Sequence, residues 1–276
     1  MATTIKSTAL DIQNIKSNLR THLEGKREFA DFNFEGSALS ALLDVLAYNT
    51  HMNALQANFA LNESFLGTAQ LRSSLVSLSE GLGYIPDSKT AARGTIRMSM
   101  NLAGLTDVPQ TISVATGYQF TATVDEIEYT FQTQETIQAS DDGNGYYQFK
   151  TLSGSNNINV FEGTPRTKTF IAGNDNDSAL YIVPDKNIDI DTAVVRVYES
   201  ATSTQFATYT PLNKATSVSA QSTIYVMKEA PNGNYELTFG NGNTLGVKPE
   251  PGTKITVSYL SVNGEAGNGA KIFEPT

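Results

Sequence analysis

The segment LGYIPDSKTAARGTIRMSMNL, Leu82–Leu102, is where the chain changes its period. Ahead of it, apolar residues recur every three or four positions, as on one face of a helix. Behind it, Ile96, Met98, Met100 and Leu102 alternate with Arg97, Ser99 and Asn101, as in a strand with one buried face. Gly83 is a helix stop, and Pro86 marks a boundary after it. The expected fold class is therefore α+β, a helical segment followed by a mainly antiparallel β region.

Upstream, Ile12, Ile15, Leu19 and Leu23 form one stripe between Thr8 and Gly25. Ser37 is a suitable N-cap for the longest helix, which is expected to run to about Leu66. Along it Ala41, Val45, Tyr48, Met52, Leu55, Phe59, Asn62 and Leu66 alternate spacings of four and three, a heptad seam with one polar interruption at Asn62. Leu39, Leu42, Leu43 and Leu46 add a second apolar flank. A third helix starting near Thr68 puts Leu71, Leu75, Leu78 and Leu82 on one stripe. Three helices can close on themselves as a small bundle. Alternatively the seam is an assembly surface for other chains, which its length favours: ~30 residues make about 45 Å of helix, more than two shorter helices cover. On that reading the interface residues are Val45, Tyr48, Met52, Leu55, Phe59 and Leu66.

Downstream, strands are expected at Ile127–Phe131, Tyr146–Phe149, Lys168–Ile171, Ala179–Val183, Ala193–Tyr198, Thr223–Met227, Tyr235–Phe239 and Lys254–Tyr259. Turn clusters such as Asp141–Gly145, Gly173–Ser178 and Pro231–Asn234 separate them. The implied organisation is a helical assembly segment over 1–90, a first β subdomain over 91–165 and a second over 166–276.

Composition narrows the function. Of the net charge of −9, residues 1–90 hold 7 basic and 9 acidic groups, so most of the acidity lies in the β region. No block of Lys or Arg offers the basic footprint that nucleic acid or an anionic membrane requires. With no cysteine, disulfides and thiolate chemistry are excluded. No apolar run approaches the ~18 residues of a membrane span, and the N-terminus lacks a signal-peptide core, so a soluble chain is expected.

Candidate chemistry fails on spacing. His22 and His51 sit on different helices with no His beside them. Asp185, Asn187, Asp189 and Asp191 imitate a calcium loop, but its sixth and twelfth positions are Ile190 and Arg196, so a turn leading into the next strand is expected instead. The run Asn174–Asp177 reads as a loop. Asp125, Glu126 and Glu128 have nothing to set them apart from a solvated surface as glycosidase carboxylates, and there is no Trp for a sugar platform.

The stretch FGNGNTLGVKPEPG, Phe239–Gly252, tests as a phosphate loop and fails too. Its glycines give G-x-G-x-x-x-G, and Pro249 and Pro251 follow where a helix is needed. Gly240, Asn241, Gly242, Gly246, Pro249 and Gly252 are read as a structural turn motif, with Asn241-Gly242 as a tight hairpin turn. No cofactor or metal is expected, and no enzymatic activity.

The same motif, continued through Ile255, Val257, Tyr259, Gly264, Gly267 and Asn268, resembles the baseplate wedge proteins of contractile-tailed bacteriophages, the T-even-type wedge subunits and the baseplate J-like family. Val160-Phe161-Glu162-Gly163, Tyr181-Ile182-Val183-Pro184 and the segment from Phe32 to Arg93, including Phe34-Glu35-Gly36-Ser37, are similar to that family as well. Asn241 stands where the family has Asp. Longer relatives continue well beyond the Gly-Asn close, whereas this chain ends at Thr276. The resemblance implies a structural subunit of the tail baseplate. Two copies would take different settings, join another wedge subunit through a helical bundle, and meet neighbouring wedges in a sixfold ring around the hub that rearranges before sheath contraction. A carbohydrate-binding or host-recognition module, and a tail-associated hydrolase, are the competing expectations.

Overall fold

The computed structural model describes residues 11–29, 37–173 and 180–276. The start at Thr8, the Phe34-Glu35-Gly36 motif, Ala179 and the loop read at Asn174–Asp177 lie outside them. The chain divides into two units, Met1–Ile85 and Pro86–Thr276.

The first unit holds α1 (Ile12–Glu24), α2 (Ala38–Glu63) and α3 (Arg72–Gly81). Asp11 caps α1 by accepting the N–H groups of Gln13 and Asn14 at 2.8 and 3.2 Å. Ser37 caps α2 through the N–H of Ser40 at 3.2 Å. Lys16 of α1 pairs with Asp44 of α2. In α3 the buried residues are Val76 and Ser79, while Leu71 and Leu82 of the expected stripe are exposed. Ser79 can be buried because its hydroxyl donates to the Leu75 carbonyl at 2.6 Å.

The second unit is built from strands. Its first part comprises β1 (Arg93–Ile96), β2 (Ser99–Asn101), β3 (Thr111–Val114), β4 (Gln119–Val124), β5 (Ile127–Thr133), β6 (Ile137–Ser140), β7 (Tyr146–Gln148), β8 (Lys150–Thr151) and β9 (Ile158–Glu162). Then come β10 (Thr164–Ile171), β11 (Tyr181–Val183), β12 (Ile188–Tyr198), β13 (Phe206–Pro211), β14 (Ile224–Glu229), β15 (Tyr235–Phe239), β16 (Lys254–Ser261) and β17 (Glu274–Pro275). The sheets run β1-β9-β5-β4-β17, β10-β16-β12-β13-β14-β15-β11, β2-β7 and β3-β6-β8. Every pair is antiparallel except β13 with β14.

Two cores meet across Ile96 and Met98. One gathers Phe120, Phe131 and Val160 of the five-stranded sheet, and the other Ile137, Tyr147, Phe149 and Ile158. The seven-stranded sheet curls round a third core of Val195, Val257, Ile255, Leu237 and Tyr235. Its two edges approach one another there, with the rings of Phe170 in β10 and Tyr181 in β11 5.4 Å apart, edge to face.

The chain passes from the five-stranded to the seven-stranded sheet through one residue, Gly163. Its φ is 138°, and a Cβ there would meet Val262 Cγ1 at 2.9 Å and the Ser261 carbonyl at 3.0 Å, so only glycine fits. Beside it, the buried Glu162 carboxylate accepts the backbone N–H and the amide of Asn263 at 3.0 and 2.8 Å. A second buried carboxylate, Asp189, accepts the N–H groups of Ala91 and Asp191 at 2.9 and 3.0 Å. The calcium-like run is thus not wholly a turn: Asp189 and Asp191 lie within β12, and a register shift between Asp189 and Val194 accommodates them.

Candidate assembly interface

The 26 residues of α2 span about 39 Å at the α-helical rise. Its buried residues are Leu43, Ala47, Asn58 and Asn62, spaced so that they fall along one side, with His51 and Ala54 half-buried between them. Asn62 therefore leaves the expected seam and joins the inward side, where its amide donates to the Asn58 carbonyl at 2.6 Å. Of the second flank only Leu43 is buried, whereas Leu42 and Leu46 are exposed.

The expected interface residues take a different side. Val45 is 65% exposed and Phe59 47%, and Tyr48 and Leu55 are exposed with them, while Met52 is half-buried. Leu66 is also exposed but lies in the turn beyond α2, three residues past the helix end. The helix stops early because Ser64 turns its N–H to the Leu61 carbonyl, and Thr68 fastens the turn by donating to the Asn62 carbonyl at 2.7 Å. Between Ala38 and Glu63 the sequence carries no Lys or Arg, and its only carboxylates are Asp44 and Glu63. This face is consequently an uncharged apolar strip, the kind of surface that marks an interaction site.

Glu63 fixes the far end of the strip. Helix α3 begins at Leu71 without a side-chain cap of its own. The Glu63 carboxylate supplies one from α2, accepting the N–H groups of Gln70 and Leu71 at 2.8 and 3.2 Å. The Ser74 hydroxyl and then the Gln70 N–H hold this carboxyl below its ordinary value.

The Phe239–Gly252 motif has a structure different from the expected hairpin. β15 and β16 are not neighbours in the sheet, and Asn241 is not among the residues with positive φ. Instead the Asn241 side-chain oxygen accepts the N–H groups of Asn243, Thr244 and Leu245 at 3.0, 2.9 and 2.9 Å. The local Asn-Gly preference yields to this because β16 pairs with β10 and β12 at the other side of the sheet. A Cβ on Gly240 would lie 2.1 Å from the Leu245 carbonyl oxygen. Gly242, Gly246 and Gly252 all have positive φ. The loop docks on the 219–222 turn, with Gly246 and Val247 donating to Ser219 and Ser222 at 2.9 Å each. Pro249 precedes a Glu250–Thr253 turn closed at 3.2 Å. The Asn241 amide also donates to the Thr244 hydroxyl at 3.0 Å; an Asp keeps the acceptor oxygen, and the same hydroxyl can donate to its second oxygen instead.

Asp125 and Glu126, weighed above as catalytic carboxylates, form the tip of the β4–β5 hairpin, with φ of 50° and 67°. Among the described residues no three of His, Asp and Glu converge as metal ligands.

Residues 11–84 match the family model described as "Baseplate wedge protein gp6-like, helical domain". This segment is thus similar to a gp6-like helical domain. The match covers α1, α2 and α3, and so includes the exposed strip. The baseplate wedge protein gp6 of Enterobacteria phage T4 is 33% identical over 276 residues, across 94% of this chain and 39% of that protein. The chain is therefore similar to that protein along nearly all of its own length, and spans about two fifths of the length of this curated relative. Glu162 and Asn263, the pair joining the two large sheets, went unrecognised in the sequence as partners. The signal available was Glu162-Gly163 within the family-like motif and Asn263-Gly264 just ahead of its close.

Proposed function

We propose that this chain is a structural subunit of a phage tail baseplate wedge, resident in the virion tail and working without catalysis. The observation that carries the reading is the uncharged strip of Val45, Tyr48, Leu55 and Phe59, exposed on a helix of the gp6-like domain. A helix face of this character is buried by packing against other helices. The helical segment, residues 1–90, is the assembly element. It joins other wedge subunits in a helical bundle, together with a second copy of this chain in a different setting. The β subdomains, 91–165 and 166–276, contribute to a sixfold inner ring around the central hub. Rearrangement of these contacts accompanies sheath contraction.

The test is Met52→Asp combined with Phe59→Asp. The pair places charges in the strip without touching the buried line of α2, so the isolated chain still folds. Tail assembly in a complementation assay is expected to fail, because each charge would be buried unpaired in the bundle. Intact particles from the double variant would overturn the proposal.

A further inference from the structure

The outer face of β10, β16, β12 and β13 carries an unusual set of side chains for so acidic a protein. Alternation puts Val195, Val197, Ile255 and Val257 in the core and turns Arg196, Tyr198 and Lys254 outward. The cross-strand partner of Tyr198 is Phe206, and that of Lys254 is Ile171. The Lys254 ammonium lies 4.0 Å from the Tyr198 ring centroid, and the Arg196 guanidinium 5.0 Å from that of Phe206. Tyr198 and Phe206 are themselves 5.4 Å apart. The cations are thus held by rings. Neither lies within ion-pair distance of a carboxylate among the described residues. Phe206 and Ile171 are exposed between them.

The five-stranded sheet carries the reverse pattern. At the β4–β5 tip stand Asp125 and Glu126, followed by Glu128, with Glu274 on the adjoining β17. Lys271 lines the same recess as Asp125, Glu128 and Glu274. Among these carboxylates Ile127 is 57% and Ile272 73% exposed. A recess of about 410 Å³ opens there, lined by Val124, Asp125, Glu128, Ile272 and Glu274 among others. One surface has cations around exposed apolar groups, and the other has carboxylates around exposed apolar groups.

We propose that the cation–aromatic face of β16, β12 and β13 docks on the acidic β4–β5 tip of a second copy of the chain. The proposal deepens the wedge reading, on which it rests, by naming where copies meet outside the helices. Matching of charge selects the partner, and the apolar centres exclude water. Because two different surfaces meet, the contact is head to tail, and repeating it closes a ring or extends a filament.

Sedimentation velocity of the full chain tests this, with Met52→Asp/Phe59→Asp present throughout so that the helix strip takes no part. At roughly 20 mM salt the parent is expected to form concentration-dependent oligomers, which dissociate at roughly 0.5 M, where exposed charges are screened. Arg196→Glu/Lys254→Glu alone, and Glu126→Lys/Glu128→Lys alone, are each expected to sediment as monomers. An equimolar mixture of the two recovers oligomers, because each variant's altered surface complements the other's. A parent that stays monomeric at low salt overturns the proposal. So does a charge variant that assembles alone, or a mixture that does not. Failure of the wedge reading itself shows separately, as intact tails in the complementation assay with Met52→Asp/Phe59→Asp.

Discussion

Glu162 and Asn263, 101 residues apart in sequence, are joined by two hydrogen bonds into one carboxylate. Glu162 ends the strand that pairs with Phe131 in the five-stranded sheet, and Asn263 follows β16 of the seven-stranded one. This side chain therefore reinforces a junction that also holds the Ala91–Asp189 bond and the packing of Phe161 on Leu260 and Val262. Glu162→Ala removes two hydrogen bonds to a charged group, each worth about 1.5 kcal/mol or more, and is expected to cost about 3 kcal/mol. In thermal melts that is a fall of about 6–12 °C for a unit of this size. Glu162→Gln keeps the shape, and a flipped Asn263 amide can accept from it, so a loss of about 1 kcal/mol is expected. Equal losses for the two variants would contradict this account.

Glu63 sets a pH dependence in the helical unit. Its folded-state pKa lies below the ordinary 4.5. The cap is therefore fully present above the ordinary value and is lost as pH falls through the lower folded one. Hydrogen exchange at the α3 amides should accelerate, beyond the intrinsic trend, as pH drops below about 4.5. In Glu63→Gln that extra acceleration should vanish. An unchanged profile in the variant would show that some other group governs the corner.

Asn241 organises its loop through one side chain, whose oxygen accepts three N–H groups and whose amide donates to the Thr244 hydroxyl at 3.0 Å. Asn241→Asp is expected to be neutral within about 0.5 kcal/mol, whereas Asn241→Ala releases three N–H groups and costs about 1–2 kcal/mol, as loss of a helix cap does. Denaturant melts of the two variants distinguish this from a mere preference for a small polar residue, which would make them alike.

Gly94 lies under the ring of Phe273, where a Cβ would come within 2.7 Å of Cζ. Phe273 also stacks edge to face on Phe131, with centroids 5.0 Å apart. Gly94→Ala should destabilise the β unit by about 1–3 kcal/mol through overpacking. In a Phe273→Ala background the same substitution should cost far less, and a double-mutant cycle reads that coupling. Additive effects would mean that the ring is not what restricts position 94.

How much of this was legible in the sequence depended on whether the signal was local. The change of period near Pro86 falls where one unit gives way to the next, and alternating runs such as Tyr235–Phe239 are strands; the run Ile96–Leu102, however, breaks between β1 and β2, which join different sheets. β8 and β17 have two residues each and exist only through their partners, so no pattern announced them. β9 was visible as a motif before it was visible as a strand. The strip on α2 was legible as a row of residues, but which row faces inward was not. The inward side uses Asn58 and Asn62, which hydrophobic periodicity does not place in a core, and the Asn62 amide is satisfied along the helix by the Asn58 carbonyl. The Asn241-Gly242 pair shows the opposite failure, a strong local signal overruled by the distant pairing of β16.

The place of β17 bears on the order in which the protein can be made. Glu274 pairs with Thr121, so the edge of β4 waits while about 150 further residues leave the ribosome. Until then the aromatic surface around Phe131 lacks its Phe273 cover. The three helices contain no such distant closure and are complete before the first strand is synthesised. The nascent chain therefore displays its α2 strip while its β unit is still unfinished, and early pairing of the helices would hold that exposed surface away from other chains.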